Sequence, residues 1–188
     1  MDKCELRHRN KIHVRSINCI AYASDDGKFD IEATLVDTKP FGFVLPERGL
    51  ISPGEHIHEM TIWVTIDKSL VITDVGVTTV HSPYGVCSAI NETYRQLVGL
   101  RIGPGFGQTV KRLFRGTAGC SHLTELLPAI ATTAFQAIWG DPARIGEEGM
   151  LSVSEDTPSP VDGCHAMRSG GEIVEAYFPK FSAGTPGR

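Results

Sequence analysis

The chain has 188 residues, 41% of them hydrophobic, which suits a single globular domain and excludes wholesale disorder. Its 18 basic and 22 acidic side chains give a net charge of −4 without a basic stripe, so we expect no nucleic-acid partner. No apolar run approaches the ~20 residues that cross a bilayer, and the charged N-terminal stretch lacks a signal peptide's apolar core, so we expect a cytoplasmic protein with no membrane partner.

The first half of the chain predicts two β-hairpins. Segments 13–23 and 29–39 flank an Asp-Gly pair, which is typical of a tight turn between strands. Apolar and polar residues then alternate over 60–66, and a second Val-, Ile- and Thr-rich strand follows over 70–80. We interpret the intervening segment 40–54 as a loop, because it contains three prolines and three glycines.

Helical spacing dominates the second half. Ser82-Pro83 predicts a helix start with a capping hydroxyl, and Gly99 predicts its end. A short helix is predicted over 108–114, and the longest helix begins after Gly119. The apolar stripe of that longest helix consists of Leu123, Leu126, Leu127, Ile130, Ala134 and Ile138. Pro128 inside the stripe predicts a kink or an early boundary.

Strands followed by helices, rather than alternating with them, predict an α+β fold. We expect residues 1–150 to form a single domain in which an antiparallel sheet from two hairpins carries a layer of helices on one face. Residues 151–188 are rich in Gly, Pro and Ser, which predicts a docked C-terminal tail with little regular structure. Tyr177, Phe178 and Phe181 are its expected packing residues, and a homodimer through this tail is a further expectation.

Two histidines stand at the entry of the third predicted strand. Alternation places His56 and His58 on the same side as Met60, toward the helical layer. Neutral imidazoles are frequent ligands of zinc, copper and iron. The pair therefore indicates either a metal site or two hydrogen-bonded histidines at the rim of the core.

Cysteines stand near two predicted helix starts. Cys120 and His122 open the long helix, where the helix dipole favours a thiolate, and Cys87 lies near the start of the earlier helix. The odd total of five cysteines argues against a disulfide framework. If these element ends converge with His58, they form a metal site; otherwise Cys87 and Cys120 are ordinary core residues.

Several sequence runs together resemble the bacterial DUF2889 family over residues 13–139. They are Asp30-Ile31-Glu32, Asp37-Thr38-Lys39, Gly54-Glu55, Ile57-His58-Glu59-Met60, Gly99-Leu100-Arg101-Ile102-Gly103-Pro104-Gly105 and Gly119-Cys120-Ser121-His122-Leu123-Thr124-Glu125-Leu126-Leu127. The family pattern has histidine at position 58, whereas histidine at position 56 is not characteristic. The family has no assigned function, but its association with aromatic and acyl catabolism favours a small-molecule lyase or hydrolase.

A more distant resemblance is to iron–sulfur scaffold proteins of the IscU/NifU type. It is carried by 60–67, 72–75, Cys87-Ser88-Ala89-Ile90 and Cys120 at the start of an Ala-rich helix. The resemblance implies an IscU/NifU-like fold. His56 and His58 then occupy the positions of the scaffold's first cysteine and its aspartate, and Cys87 and Cys120 those of its other two cysteines. Imidazole in place of the first thiolate favours a single ion over a labile cluster.

The leading hypothesis is a metal-dependent enzyme acting on a small molecule. Its zinc, or alternatively ferrous iron, would be held by His58, Cys87, Cys120 and either His122 or His56. The candidate catalytic carboxylates, which could also orient the ligands, are Glu59 and Glu125. Two alternatives stay open: a scaffold or carrier for iron–sulfur clusters or metal, and a binding module with a structural zinc.

Overall fold

The computed structural model of the chain describes residues 9–141 and 158–179. The chain contains two compact units, Met1–Leu151 and Ser152–Arg188. The first unit holds the β-structure and the longer helices, and the second holds two short helical segments. No helix within the described ranges is long and apolar enough to cross a membrane.

The main sheet consists of four antiparallel strands that come from two hairpins. Its strands are β1 (Val14–Ala23), β2 (Phe29–Thr38), β5 (His58–Ile66) and β6 (Ile72–His81), in the order β1-β2-β5-β6. Each neighbouring pair is antiparallel, and the Ser24–Lys28 backbone hydrogen bond closes the first hairpin at 2.9 Å. Both predicted hairpins are therefore confirmed, and they join through the β2–β5 pairing.

The segment predicted as a loop contains a small third hairpin. Strands β3 (Phe43–Leu45) and β4 (Gly49–Ile51) pair antiparallel within it, so the interpretation of 40–54 as loop alone is wrong. Its prolines precede, separate and follow the two strands rather than interrupting them, so no ladder hydrogen bond is lost to a proline. Gly49 supplies the positive φ of 73° at the turn.

Within the described residues of the first unit, three longer helical segments follow the sheet along the chain, in addition to a single 3-10 turn at Gly116–Ala118. A long 3-10 helix spans Gly85–Leu97, α1 spans Phe106–Leu113 and α2 spans Ser121–Trp139. The predicted helix start at Ser82 is wrong, because Tyr84 occupies the N-cap position and the Ser82 hydroxyl donates to the Tyr84 carbonyl at 2.9 Å.

The core lies between the inner face of the sheet and the helices. Alternate residues of β2 and β5 are buried, from Phe29 to Leu35 and from Met60 to Ile66. All six residues of the predicted α2 stripe are also buried. Helix α2 continues through Pro128 without ending there. The predicted α+β architecture, an antiparallel sheet with helices, is confirmed.

The second unit contains a 3-10 turn at His165–Met167 and a short helix, α3, at Glu172–Tyr177. Tyr177 is 73% exposed, and Phe181 lies outside the described residues. Docking of the tail and a homodimer through it therefore stay predictions.

The outer face of the sheet has one close-packed point that predicts a stability effect. Trp63 pairs with Gly76 across β5 and β6, and a Cβ on Gly76 would lie 2.2 Å from the indole Cε2. We expect Gly76→Ala to lower the free energy of unfolding by about 2 kcal/mol, because the ring or strand must shift. The matched control is Gly107→Ala in α1, where nothing lies within 4 Å and alanine favours the helix. Urea unfolding measures both variants, and equal stabilities would contradict the close packing.

Candidate functional site

The candidate site begins with a carboxylate buried at the end of the sheet. The inward alternation of β2 continues past Leu35 to Asp37, so Asp37 lies on the face that packs against the helices. Its side chain is 1% exposed, and it is the only buried charged residue in the part of the chain that the structure describes. A buried carboxylate requires polar partners, since burial without them is costly.

Neighbouring strands supply those partners through their register. Arg15 of β1 and His58 of β5 both stand directly opposite Asp37. Arg15 binds Asp37 in a bidentate manner, with Nε donating to Oδ1 at 2.9 Å and Nη2 to Oδ2 at 2.8 Å. His13 Nε2 lies 3.0 Å from Oδ1, and His58 Nδ1 lies 3.0 Å from Oδ2. Three β-strand segments thus converge on one carboxylate.

The first turn of α2 completes the arrangement from above the sheet. His122 Nε2 lies 3.6 Å from Asp37 Oδ2, and its ring stacks on that of His58 with centroids 3.8 Å apart. Glu125, one turn further along, contacts Arg15 Nη1 and is 49% exposed. We call this group the inner cluster: His13, Arg15, Asp37, His58, His122 and Glu125.

Burial and charge set the protonation of the inner cluster. Burial acts to raise the pKa of Asp37, but hydrogen bonds from Arg15 and His13 outweigh it and hold that pKa at about 2. Burial lowers the pKa of His58, assisted by neighbouring His122. Burial, together with the Arg15 charge, lowers the pKa of His122. At neutral pH the cluster therefore contains an ionised carboxylate, a guanidinium and two neutral stacked imidazoles.

A buried tyrosine fixes the start of α2 and thereby the position of His122. The Tyr94 hydroxyl, at the end of the long 3-10 helix, accepts the Cys120 N–H at 3.0 Å. It also lies 2.9 Å from the Cys120 carbonyl and 2.8 Å from the Thr124 hydroxyl. Burial raises the pKa of Tyr94, so the hydroxyl stays protonated and able to donate.

We expect Tyr94→Phe to lower the free energy of unfolding by about 1–3 kcal/mol, because it leaves the Cys120 amide without its acceptor. Thermal unfolding measures the loss. Tyr22→Phe on β1 is the control, since Tyr22 is 51% exposed and its hydroxyl can bond to water. A Tyr94 variant as stable as the control would contradict the anchoring role.

The two candidate cysteines differ in how close they lie to the histidines. Cys120 is the N-cap of α2, and its Sγ lies 3.8 Å from His122 Nδ1 and 4.0 Å from the sulfur of Met60. Cys87 lies in the first turn of the 3-10 helix, with its amide donating to Tyr84. The described residues contain two groups whose possible ligand atoms all lie within 4.8 Å of one another, and neither includes a cysteine.

The expectation that His56 and His58 share one side is wrong. His56 precedes the first residue of β5, so strand alternation does not govern its direction. Its Nδ1 lies 2.9 Å from Glu59, whose position alternates with that of His58. Glu59 therefore lies away from the inner cluster, whereas Glu125 lies at its rim.

Comparison with known sequences covers the whole inner cluster. The DUF2889 family, described as a protein of unknown function, matches residues 13–136. The chain belongs to the DUF2889 family. The match begins at His13 and extends past Glu125, so every member of the inner cluster lies inside the DUF2889 region. No curated protein and no solved structure matches the chain, so the IscU/NifU resemblance stays a prediction.

Sequence reasoning missed the carboxylate at the centre of the cluster. The available signal was parity: Asp37 continues the buried positions Ile31, Ala33 and Leu35 on the same strand. A charged residue at such a position requires partners on neighbouring strands. Arg15 and His13 were identifiable only with the β1–β2 register, which pairs Arg15 with Asp37.

Proposed function

We propose that this DUF2889 protein is a metal-dependent enzyme, of the lyase or hydrolase type, with its active centre at the inner cluster. The proposed ligands are Asp37, His58 and His122, and the proposed ion is zinc, with ferrous iron as the alternative. The observation that carries the proposal is the convergence of their ligand atoms, which all lie within 4.8 Å of one another.

The spacing of these atoms suits a common ion. Donors bound at about 2.1 Å around a tetrahedral or octahedral ion lie roughly 3.0–3.4 Å apart. Asp37 Oδ2 lies 3.0 Å from His58 Nδ1 and 3.6 Å from His122 Nε2. Two imidazoles and one carboxylate are a ligand set that both zinc and ferrous iron accept, with positions left for water and substrate.

The rim of the cluster supplies groups for binding and proton transfer. The side chains of Arg15 and Glu125 are 33% and 49% exposed, so both can reach a substrate. A guanidinium can bind a substrate carboxylate or a developing oxyanion, and a carboxylate can act as general base. The proposed substrate is a small aromatic or acyl compound.

A metal-free acid–base centre is the second candidate, and the bidentate Arg15–Asp37 pair favours it. Arg15 already neutralises Asp37, which could then serve to orient His58. Burial keeps His58 in the neutral form that a general base requires. An iron–sulfur scaffold receives less support, since neither candidate ligand group in the described residues contains a cysteine.

Activity before and after metal removal separates the two candidates. Purified protein is stripped with a chelator, reloaded with zinc or ferrous iron, and assayed against aromatic and acyl esters, amides and hydroxy acids. The metal-dependent proposal predicts turnover that disappears on stripping and returns with one of the two ions. Turnover that persists in stripped protein with no measurable metal would favour the acid–base centre.

A further inference from the structure

A second group of possible metal ligands lies outside the inner cluster. We call it the outer cluster: His56, Glu59 and His81. Glu59 is the second residue of β5 and stands opposite His81, the last residue of β6. His56 Nδ1 and His81 Nε2 lie 2.9 Å and 3.6 Å from the same oxygen, Glu59 Oε2.

The backbone around the outer cluster is held by specific contacts. Arg48 Nη1 donates to the carbonyls of His56 and Ile57 at 2.9 and 3.1 Å, while its Nη2 donates to Glu55 at 3.1 Å. The Ile57 amide donates to the Asp37 carbonyl at 2.8 Å, which ties this segment to β2. The segment that carries His56 is therefore fixed by side-chain and backbone hydrogen bonds.

A register shift lies next to Glu59 and His81. The β5–β6 pairing is irregular between Glu59 and Met60, beside the Glu59–His81 pair. Such irregularities bend a strand and redirect the side chains next to them. The rings of His56 and His81 are edge-on at 84° with centroids 5.9 Å apart, so they approach Glu59 from different directions without stacking.

We propose that the outer cluster is a second zinc site, with His56, Glu59 and His81 as its three protein ligands. Two imidazoles and a glutamate form a donor set that zinc uses with a fourth position open to water, whereas magnesium and calcium favour oxygen donors. The side chains are between 29% and 42% exposed, so an ion and its water can enter from solvent. This site goes beyond the proposed function and does not depend on it.

Cobalt binding, followed by the visible absorption that reports the coordination geometry of the ion, and zinc calorimetry test the site in the full chain. Four metal-free proteins are titrated: wild type, His81→Ala, His122→Ala and the variant with both substitutions. We expect two binding events in wild type, one in each single variant and none in the double variant. Loss of a first-sphere ligand should weaken zinc binding by at least about 100-fold, since even outer-sphere changes cost 10–100-fold.

Two further proteins make the result independent of folding defects. Glu59→Gln preserves the shape of the side chain and should also abolish the outer event. His165→Ala removes an exposed histidine of the second unit and should change nothing. If His81→Ala and Glu59→Gln bind zinc with wild-type stoichiometry and affinity, the outer site is refuted. If wild type shows a single binding event that His81→Ala removes and His122→Ala leaves unchanged, the proposed function fails and the outer site stands.

Discussion

Asp37→Asn is expected to produce the largest loss of stability of any conservative substitution in the cluster. The amide keeps the shape of the side chain but removes the charge that Arg15, His13 and His58 surround. Removing one partner of a buried ion pair leaves the other without compensation, and we expect a loss of about 3 kcal/mol. Urea unfolding at neutral pH measures it in metal-free protein.

The same carboxylate predicts how stability depends on acid. The pKa of Asp37 is about 2 in the folded protein and ordinarily 3.8. Its contribution to the free energy of unfolding is therefore fully present above about pH 4. That contribution falls as the pH decreases through 3.8 toward 2. Wild-type protein should therefore lose its advantage over Asp37→Asn across this range. Asp25→Asn, an exposed turn substitution, should follow wild type throughout; an Asp37 variant that does so too would contradict the buried pair.

His58→Ala is expected to have the largest effect on metal binding at the inner cluster. Its imidazole is one of three proposed ligands, so zinc affinity there should decrease by at least about 100-fold and any metal-dependent turnover should disappear. Zinc competition with a chromophoric chelator measures the affinity. His58 contacts the buried Asp37 at the sheet end, so circular dichroism is the control that shows whether the variant is folded.

Cys87→Ser is the matched control for the metal prediction. Cys87 belongs to neither candidate ligand group among the described residues, so its substitution should leave zinc affinity unchanged. A large loss in Cys87→Ser with none in His58→Ala would indicate a thiolate centre and contradict the ligand set proposed above.

Local sequence patterns predicted the main architecture, because the burial of one face of a strand or helix produces a regular spacing of apolar residues. The alternation over 60–66 marks the buried face of β5, and the apolar stripe marks the buried face of α2. Both are buried as predicted. The β3–β4 hairpin was not predicted, because three-residue strands have too few positions to show alternation. The 3-10 geometry of Gly85–Leu97 was not predicted either, since apolar spacings of three and four residues suit both an α-helix and a 3-10 helix.

The site was only partly predictable because its residues meet through strand register. Helix and strand ends identified His58 and His122, which the structure stacks at 3.8 Å. Asp37 became central only once β1, β2 and β5 were aligned, with Arg15 and His58 on either side. Alternation also failed for His56, because the regular strand begins two residues after it.

The most direct test of the proposed metal centre is anomalous X-ray scattering at the zinc edge from crystals of the zinc-loaded chain. We expect a peak bounded by Asp37 Oδ2, His58 Nδ1 and His122 Nε2, with bonds of about 2.0–2.2 Å. Zinc at the outer cluster alone, with Arg15 still bidentate on Asp37 and no peak at these three atoms, would contradict the proposed centre.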